Sequence, residues 1–338
     1  MIEHEQRLED LLSEPTPEVV ETLGRLQGDI IFLGVAGKMG PTLARMARRA
    51  SVIAGVPRRI IGVARFSVGG RESLDAHGIE TIACDLLDES AVAKLPDVAN
   101  VVFMTGMKFG ATGNESATWA MNSYLPAIVC NQFARSRIVA FSTGNVYGLT
   151  SVDGEGSRET DVLQPIGEYA MSCLGRERMF EYFSRKLSIP MAIIRLNYAC
   201  EMRYGVLVDI AKRVWAGESV DLGMGYLNTI WQGDANAMAL RAFDHLASPP
   251  WVVNTTGPER LAVRELGERF SRRLGKPVHF TGTESATAFL SNAEAGLKHL
   301  GSPRISTLQL IEWIADWVAK GGKSLGKPTH FESRDGRY

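Results

Sequence analysis

Ile30-Ile31-Phe32-Leu33-Gly34-Val35-Ala36-Gly37-Lys38-Met39-Gly40 carries the fold of this chain. A short apolar run leads straight into GxxGxxG, and the glycines lead straight into a helical pattern, Pro41–Ala50, with Leu43, Met46 and Ala47 on one side. Strand, glycine turn and helix in that order suit one kind of ligand. Glycines allow positive φ and let the backbone come close to a pyrophosphate, which then meets the unpaired N–H groups of a helix start. Gly34, Gly37, Lys38, Met39 and Gly40 are therefore the first candidates for dinucleotide contact.

The next apolar run, Ile60–Val63, ends in Ala64-Arg65. NAD sites often place an acid here for the ribose hydroxyls. The acid is missing, and a guanidinium suits a 2′-phosphate. Arg65 thus favours NADP over NAD, with a solvated arginine as the bland reading. Asp85 and Leu86, after the run Thr81–Cys84, are candidates for the adenine edge.

Further runs at Asn100–Met104, Ile138–Phe141 and Met191–Leu196 alternate with helical segments. This predicts an α/β fold, a Rossmann-type doubly wound parallel sheet with helices on both faces. The later chain is less regular, with helices expected at Gly205–Ala216, Asp234–Leu246, Ala262–Leu274 and Thr307–Lys320 and a strand at Trp251–Asn254. It predicts a smaller C-terminal substrate lobe. The expected division is a helical N-terminal extension over 1–28, a dinucleotide domain over 29–196 to which 228–256 return, and a lobe made of 197–227 and 257–338. Thr16-Pro17-Glu18 reads as an N-cap, a first-turn proline and a first-turn acid.

The 338 residues are 45% hydrophobic and 22% charged, with a net charge of −1, so no bulk electrostatic case exists for nucleic acid or an anionic membrane. Apolar stretches are too short to span a bilayer. The N-terminus is charged from its third residue and does not resemble a secretory signal, which leaves a cytoplasmic setting as the expectation. Cys84, Cys130, Cys173 and Cys200 form no CxxC pair and the six histidines do not cluster with them, so no metal site is expected.

Over residues 29–320 the chain resembles the extended short-chain dehydrogenase/reductases of the NAD-dependent epimerase/dehydratase group. The most specific stretch is Phe141-Ser142-Thr143-Gly144-Asn145-Val146-Tyr147-Gly148, similar to the STxxVYG signature. Met104-Thr105-Gly106-Met107-Lys108 resembles a segment of sugar-nucleotide 4-epimerases, Arg195-Leu196-Asn197-Tyr198 an RxxN segment, and Asn254–Glu259 a later NxGGPE-type segment. The resemblance implies Thr143, Tyr169 and Asn122 as catalytic residues. It implies Thr105, Gly106 and Lys108 as cofactor contacts, and a homodimer. Gly144, Asn145, Asn197, Arg203 and Gln232 are candidates for a sugar or sugar-acid substrate. Trp231 beside Gln232 is either pocket wall or core.

One departure matters most. The family pattern is YxxxK, and the lysine position, a cofactor contact, is Cys173. Tyrosine has a reference pKa of about 10 and needs a neighbouring positive charge to act as a base near neutrality. On a helix Tyr169, Cys173 and Arg176 share a face. Arg176 either lends its charge or is a surface arginine, and Lys108 is a second cation, or a phosphate contact as in the 4-epimerases. Residues 225–234 also lack the arginine that the family often carries there, which weakens the case for a nucleotide diphosphate sugar. Three readings remain: a hydride-transferring epimerase, dehydratase or reductase; a non-catalytic NAD(P)-binding sensor or partner subunit; or an enzyme in which Cys173 itself reacts through a lowered pKa.

Overall fold

Seven parallel strands form the central sheet: β1 (Ile30–Leu33), β2 (Ile60–Ala64), β3 (Glu80–Ala83), β4 (Asn100–Phe103), β5 (Arg137–Thr143), β6 (Met191–Leu196) and β7 (Trp251–Thr255), in the order β7-β6-β5-β4-β1-β2-β3. The structure, a computed structural model, describes residues 2–108 and 110–337, so the outermost positions of the expected segments, 1 and 338, lie outside it. Five strands, β1, β2, β4, β5 and β6, are buried along nearly their whole length, which suits their largely apolar runs. Strand order reverses between β1 and β4, and a crevice opens there beyond the carboxyl ends of the strands. β5 runs on past the expected Phe141 and delivers Thr143 at its tip.

The helix after β1 is drawn tightly onto the sheet. Three helices open the chain: α1 (Glu5–Leu12), α2 (Pro17–Arg25) and α3 (Gly40–Ile53). A Cβ on Gly40 would stand 2.1 Å from the Val35 carbonyl oxygen, so only glycine lets α3 start this close to the turn. At α2 the Thr16 hydroxyl accepts from the Val19 amide at 3.2 Å, with Pro17 in the first turn. α1 is built into the molecule rather than appended to it. Its Leu8 and Leu12 are fully buried in the second hydrophobic core, and Asp10 pairs with Arg45 of α3 at 2.8 Å.

That second core lies away from the sheet. It gathers Ile210 and Val214 from helix Val206–Ala216, Leu266 and Phe270 from helix Val263–Leu274, and Ile314 and Trp317 from helix Thr307–Ala319. Trp231 joins it as core, with its ring edge-on to Trp313 at 5.7 Å. Helix Gln232–Arg241 starts two residues earlier than expected and closes in a 3₁₀ turn, Ala242–His245. Among the described residues no helix is long and apolar enough to cross a membrane.

A buried ion pair links strands to helix. Arg195 on β6 meets Glu177 on helix Gly167–Leu187 at 2.7 Å, both side chains 5% exposed. Glu177 also accepts from Ser142 of β5 at 2.5 Å, and Arg195 donates to the Tyr147 hydroxyl at 2.8 Å. Tyr147 then donates to Asn254 of β7 at 2.7 Å. Replacing Glu177 with leucine leaves a buried guanidinium unpaired. The expected loss is about 3–5 kcal/mol of unfolding free energy. Urea denaturation measures it, and a loss within experimental scatter would refute the importance of the pair.

Candidate functional site

The crevice between β1 and β4 continues as one cleft with two halves. Gly37, Met104, Gly106 and Lys327 line both. The first half, about 550 Å³, is walled by Gly34, Arg65, Asp85, Leu86 and Thr105. The second, about 350 Å³, is walled by Lys38, Met39, Lys108, Thr143, Asn145, Tyr169 and Asn197. Each half is thus lined by residues that the glycine turn, the strand ends and the signature stretch had nominated.

The first half fits the adenosine side of a dinucleotide. Gly34 has φ +89°, and a Cβ there would stand 2.6 Å from Thr105 Oγ1, so the two loops meet across a gap that only glycine keeps open. The Thr105 hydroxyl is buried without a hydrogen-bond partner on this wall. A buried polar atom left unpaired is costly and points to a missing ligand. Arg65 is exposed at the end of β2, with no acid beside it in the turn Phe66–Gly70.

The second half holds the reactive groups. The Thr143 hydroxyl donates to Asn145 Oδ1 at 3.3 Å and accepts from the Asn145 amide at 3.2 Å. Tyr169 is in hydrogen-bond contact with both Thr143 and Cys173. Burial pushes its phenol well above the usual value, opposed by the positive charge of Arg176. Arg176 is not the surface residue of the bland reading. It is buried, donates to the Phe141 carbonyl at 2.9 Å and to Asn122 Oδ1 at 2.5 Å, and lies 5.7 Å from the Phe103 ring centre. Lys108 holds its ammonium 6.0 Å from the centre of the Tyr169 ring. Two cations therefore flank the tyrosine where the family's lysine is missing.

Several nominated residues do not line the cleft, each for a physical reason. Cys173 is fully buried with Val146 and Tyr147, and burial raises its thiol pKa. That removes the basis for a reactive Cys173 and for a direct cofactor contact. Asn122 is fully buried too. It sits in a wide π-helical turn, Ala120–Tyr124, accepts from the Met107 amide at 3.0 Å and donates to the Met107 carbonyl at 3.1 Å. It positions the loop that carries Lys108 rather than touching a substrate. Gly144 is buried against Ser291 and Asn197. Gly40 serves packing, as described. Arg203, offered as an anion contact, is taken by Glu9 at 2.6 Å and Glu201 at 3.0 Å. Gln232 is fully buried and donates to Thr42 at 3.1 Å, behind the cleft.

Other lining residues escaped the sequence reading. Tyr198 entered only as the end of the segment that starts at Arg195; Tyr204, Lys327 and Thr329 belong to no motif, and the last two lie in a polar stretch with no periodicity. The side chain of Lys38 crosses to the chain after β6, donates to the Ala199 carbonyl at 2.8 Å and stands 4.2 Å from the Tyr204 ring centre.

A family model described as the NAD dependent epimerase/dehydratase family matches residues 30–200. Among solved structures, a UDP-glucuronic acid 4-epimerase from Bacillus cereus, in complex with UDP-glucuronic acid and NAD, aligns with a TM-score of 0.73 at 17% identity, covering 86% of this chain and 99% of that one. A dTDP-glucose 4,6-dehydratase from Streptomyces venezuelae, with NAD and TYD bound, gives 0.72 at 17% identity over 86% and 97%. A UDP-glucose 4-epimerase from Thermotoga maritima, with UDP-glucose, gives 0.70 at 17% identity over 87% and 99%. These likenesses show the fold. Among curated proteins nothing matches.

Three lysines, Lys38, Lys108 and Lys327, line the second half of the cleft, and no carboxylate does among the described residues. Burial pushes both Lys38 and Lys108 down to about 8. An anion beside them favours the charged form and raises these values again, so binding takes up protons just above pH 8. Calorimetric titration with inorganic pyrophosphate at pH 8.5, in buffers of different ionisation enthalpy, is expected to show uptake of up to about one proton. Proton release on binding would overturn this view of the cleft.

Proposed function

This chain belongs to the NAD dependent epimerase/dehydratase family, and from that premise we propose that it is an NAD(P)-dependent enzyme transferring hydride at a carbinol or carbonyl carbon of a sugar or sugar acid. The observation that carries the proposal is the contact between Tyr169 and Thr143 in a cleft that begins at the glycine turn. When bound, the nicotinamide would take up or return the hydride. Gly34, Gly37, Arg65, Asp85 and Thr105 would hold the dinucleotide, with Lys38 and Lys108 nearer its reactive end.

Thr143 would orient the reacting hydroxyl and Tyr169 would exchange its proton. A phenol pushed up by burial keeps its proton at neutral pH, so Tyr169 is best suited to donate toward a developing alkoxide. The reverse transfer needs positive charge, which Arg176 supplies, with the Lys108 ammonium 6.0 Å from the ring centre. Arg65 and the absent acid favour NADP. The absence of an arginine from residues 225–234 weakens the case for a nucleotide diphosphate sugar. The division into a dinucleotide domain and a substrate lobe, homodimerisation and a cytoplasmic setting belong to the same proposal and rest on the sequence reading.

A second reading draws on Cys173. Without the family's lysine, a dinucleotide-binding sensor or partner subunit would need no turnover. The readings separate when wild type and Cys173→Lys are assayed against sugars and sugar acids. A wild type that binds NADPH yet turns over nothing, beside a lysine variant that gains activity, supports the sensor.

For the enzyme reading, Tyr169→Phe is expected to lower kcat by about 10²–10⁴-fold, the usual worth of a positioned proton donor. Its dinucleotide affinity should stay within about twofold, because the phenyl ring is kept. Unchanged turnover in Tyr169→Phe would sink the assignment. Separately, Arg65→Ala is expected to weaken NADPH about tenfold, the scale of one charge-assisted contact, and leave NADH nearly untouched. Equal losses for both cofactors would remove the preference. If NAD, NADH, NADP and NADPH all fail to bind in calorimetry and thermal-shift assays, the whole proposal falls.

A further inference from the structure

Residues 321–337 run across the lobe without helix or strand, and side chains pin them at successive points. The Leu325 amide donates to the Arg203 carbonyl at 3.0 Å. The Thr329 amide and hydroxyl both donate to Asp209, at 2.7 and 2.6 Å. Phe331 is buried, with the Arg213 guanidinium 5.9 Å from its ring centre, and Arg213 also pairs with Glu332 at 2.6 Å. Arg334 donates to the Thr287 carbonyl and hydroxyl at 2.6 Å each. The segment is a fastened strap.

Between the anchors Leu325 and Thr329 lie only Gly326, Lys327 and Pro328. Proline fixes its own φ and restricts the residue before it, so the backbone of Lys327 has little freedom. Lys327 lines both halves of the cleft and shares that property with Gly37 of the glycine turn. A ligand that fills both halves passes through this junction, and in such folds the part of a dinucleotide beside the glycine turn is its diphosphate.

We propose that Lys327 is a dinucleotide-holding residue, carried by the strap and clamping the diphosphate from the lobe side while the glycine turn holds it from the sheet side. This rests on the dinucleotide reading of the cleft. A rim lysine against a diphosphate acts as a point charge, so its contribution falls with added salt. The clamp also couples the lobe to the ligand, because Asp209, which anchors Thr329, sits on helix Val206–Ala216, whose first residue lines the second half of the cleft.

The test is fluorescence titration of full-length protein with NADH and NADPH at two salt concentrations, for wild type, Lys327→Ala, Lys327→Arg and Lys323→Ala. Lys323 lies in the same strap but pairs with Glu5 at 3.3 Å. Lys327→Ala is expected to weaken both ligands about tenfold, the order of one hydrogen bond to a charged group, and to flatten the salt dependence. Lys327→Arg should restore most of the loss, and Lys323→Ala should bind as wild type. Hydrogen exchange gives a second readout: bound NADPH should slow exchange across residues 325–329. Wild type that binds, with Lys327→Ala within twofold of it and strap exchange unchanged, overturns the clamp alone. Wild type that binds no dinucleotide overturns the reading beneath it.

Discussion

The bond between Glu177 and Arg195 is the constraint on which the site's geometry hangs. It ties the long helix that carries Tyr169 to β6, and through Ser142 to the strand whose tip is Thr143. The hydroxyls of Thr143 and Tyr169, proposed to act on the substrate, lie 26 residues apart in sequence by their numbering, and they meet only when helix and strand keep one register. Buried ion pairs are weak evidence for stability, since desolvating two charges offsets much of their attraction. Here the pair is saturated by Ser142 and Tyr147, and Tyr147 passes the constraint on to Asn254 of β7. The network lies directly beneath the cleft, where an error of one ångström would separate a proton donor from its acceptor.

Above that base the electrostatics are rearranged rather than lost. A neutral, buried thiol takes the place of a lysine four residues after Tyr169. Positive charge arrives instead from Arg176, one turn further along the same helix, and from Lys108 in the loop after β4. The two differ in kind. Arg176 is held rigidly by a strand carbonyl and by Asn122, whereas Lys108 is an ammonium whose charge is sensitive to pH and to what lies beside it. In the proposed enzyme, a fixed charge and a titratable one would thus share the duty of a single side chain.

The sheet was legible because most of its strands are short apolar runs bounded by turn residues, a pattern set at the centre of the sheet by burial on both faces. The glycine turn was legible because its spacing answers one steric demand, at Gly34 and Gly40. Individual side chains were harder to place. Arg203 and Gln232 carry the right chemistry for a ligand, but nearby Glu9, Glu201 and Thr42 satisfy them first. Arg176 reads as a surface residue until Phe103 and Asn122 close over it. The strap left no trace, because its anchors are isolated hydrogen bonds and ion pairs to residues far off in sequence, such as Asp209 and Arg213. Periodicity reports faces, and the strap has none.

The wide turn at Ala120–Tyr124 has a different kind of consequence. An α-helix advances about 100° per residue, so one extra residue sets the segments on either side out of phase. Leu125, Ile128 and Val129 can then serve the core while Asn122 serves the loop after β4, with neither compromising the other. The carboxamide reaches that loop through the phase shift of the wide turn. Removing one residue between Ala120 and Tyr124 would therefore turn Asn122 away from that loop by about 100°, although the helix would shorten by a single position.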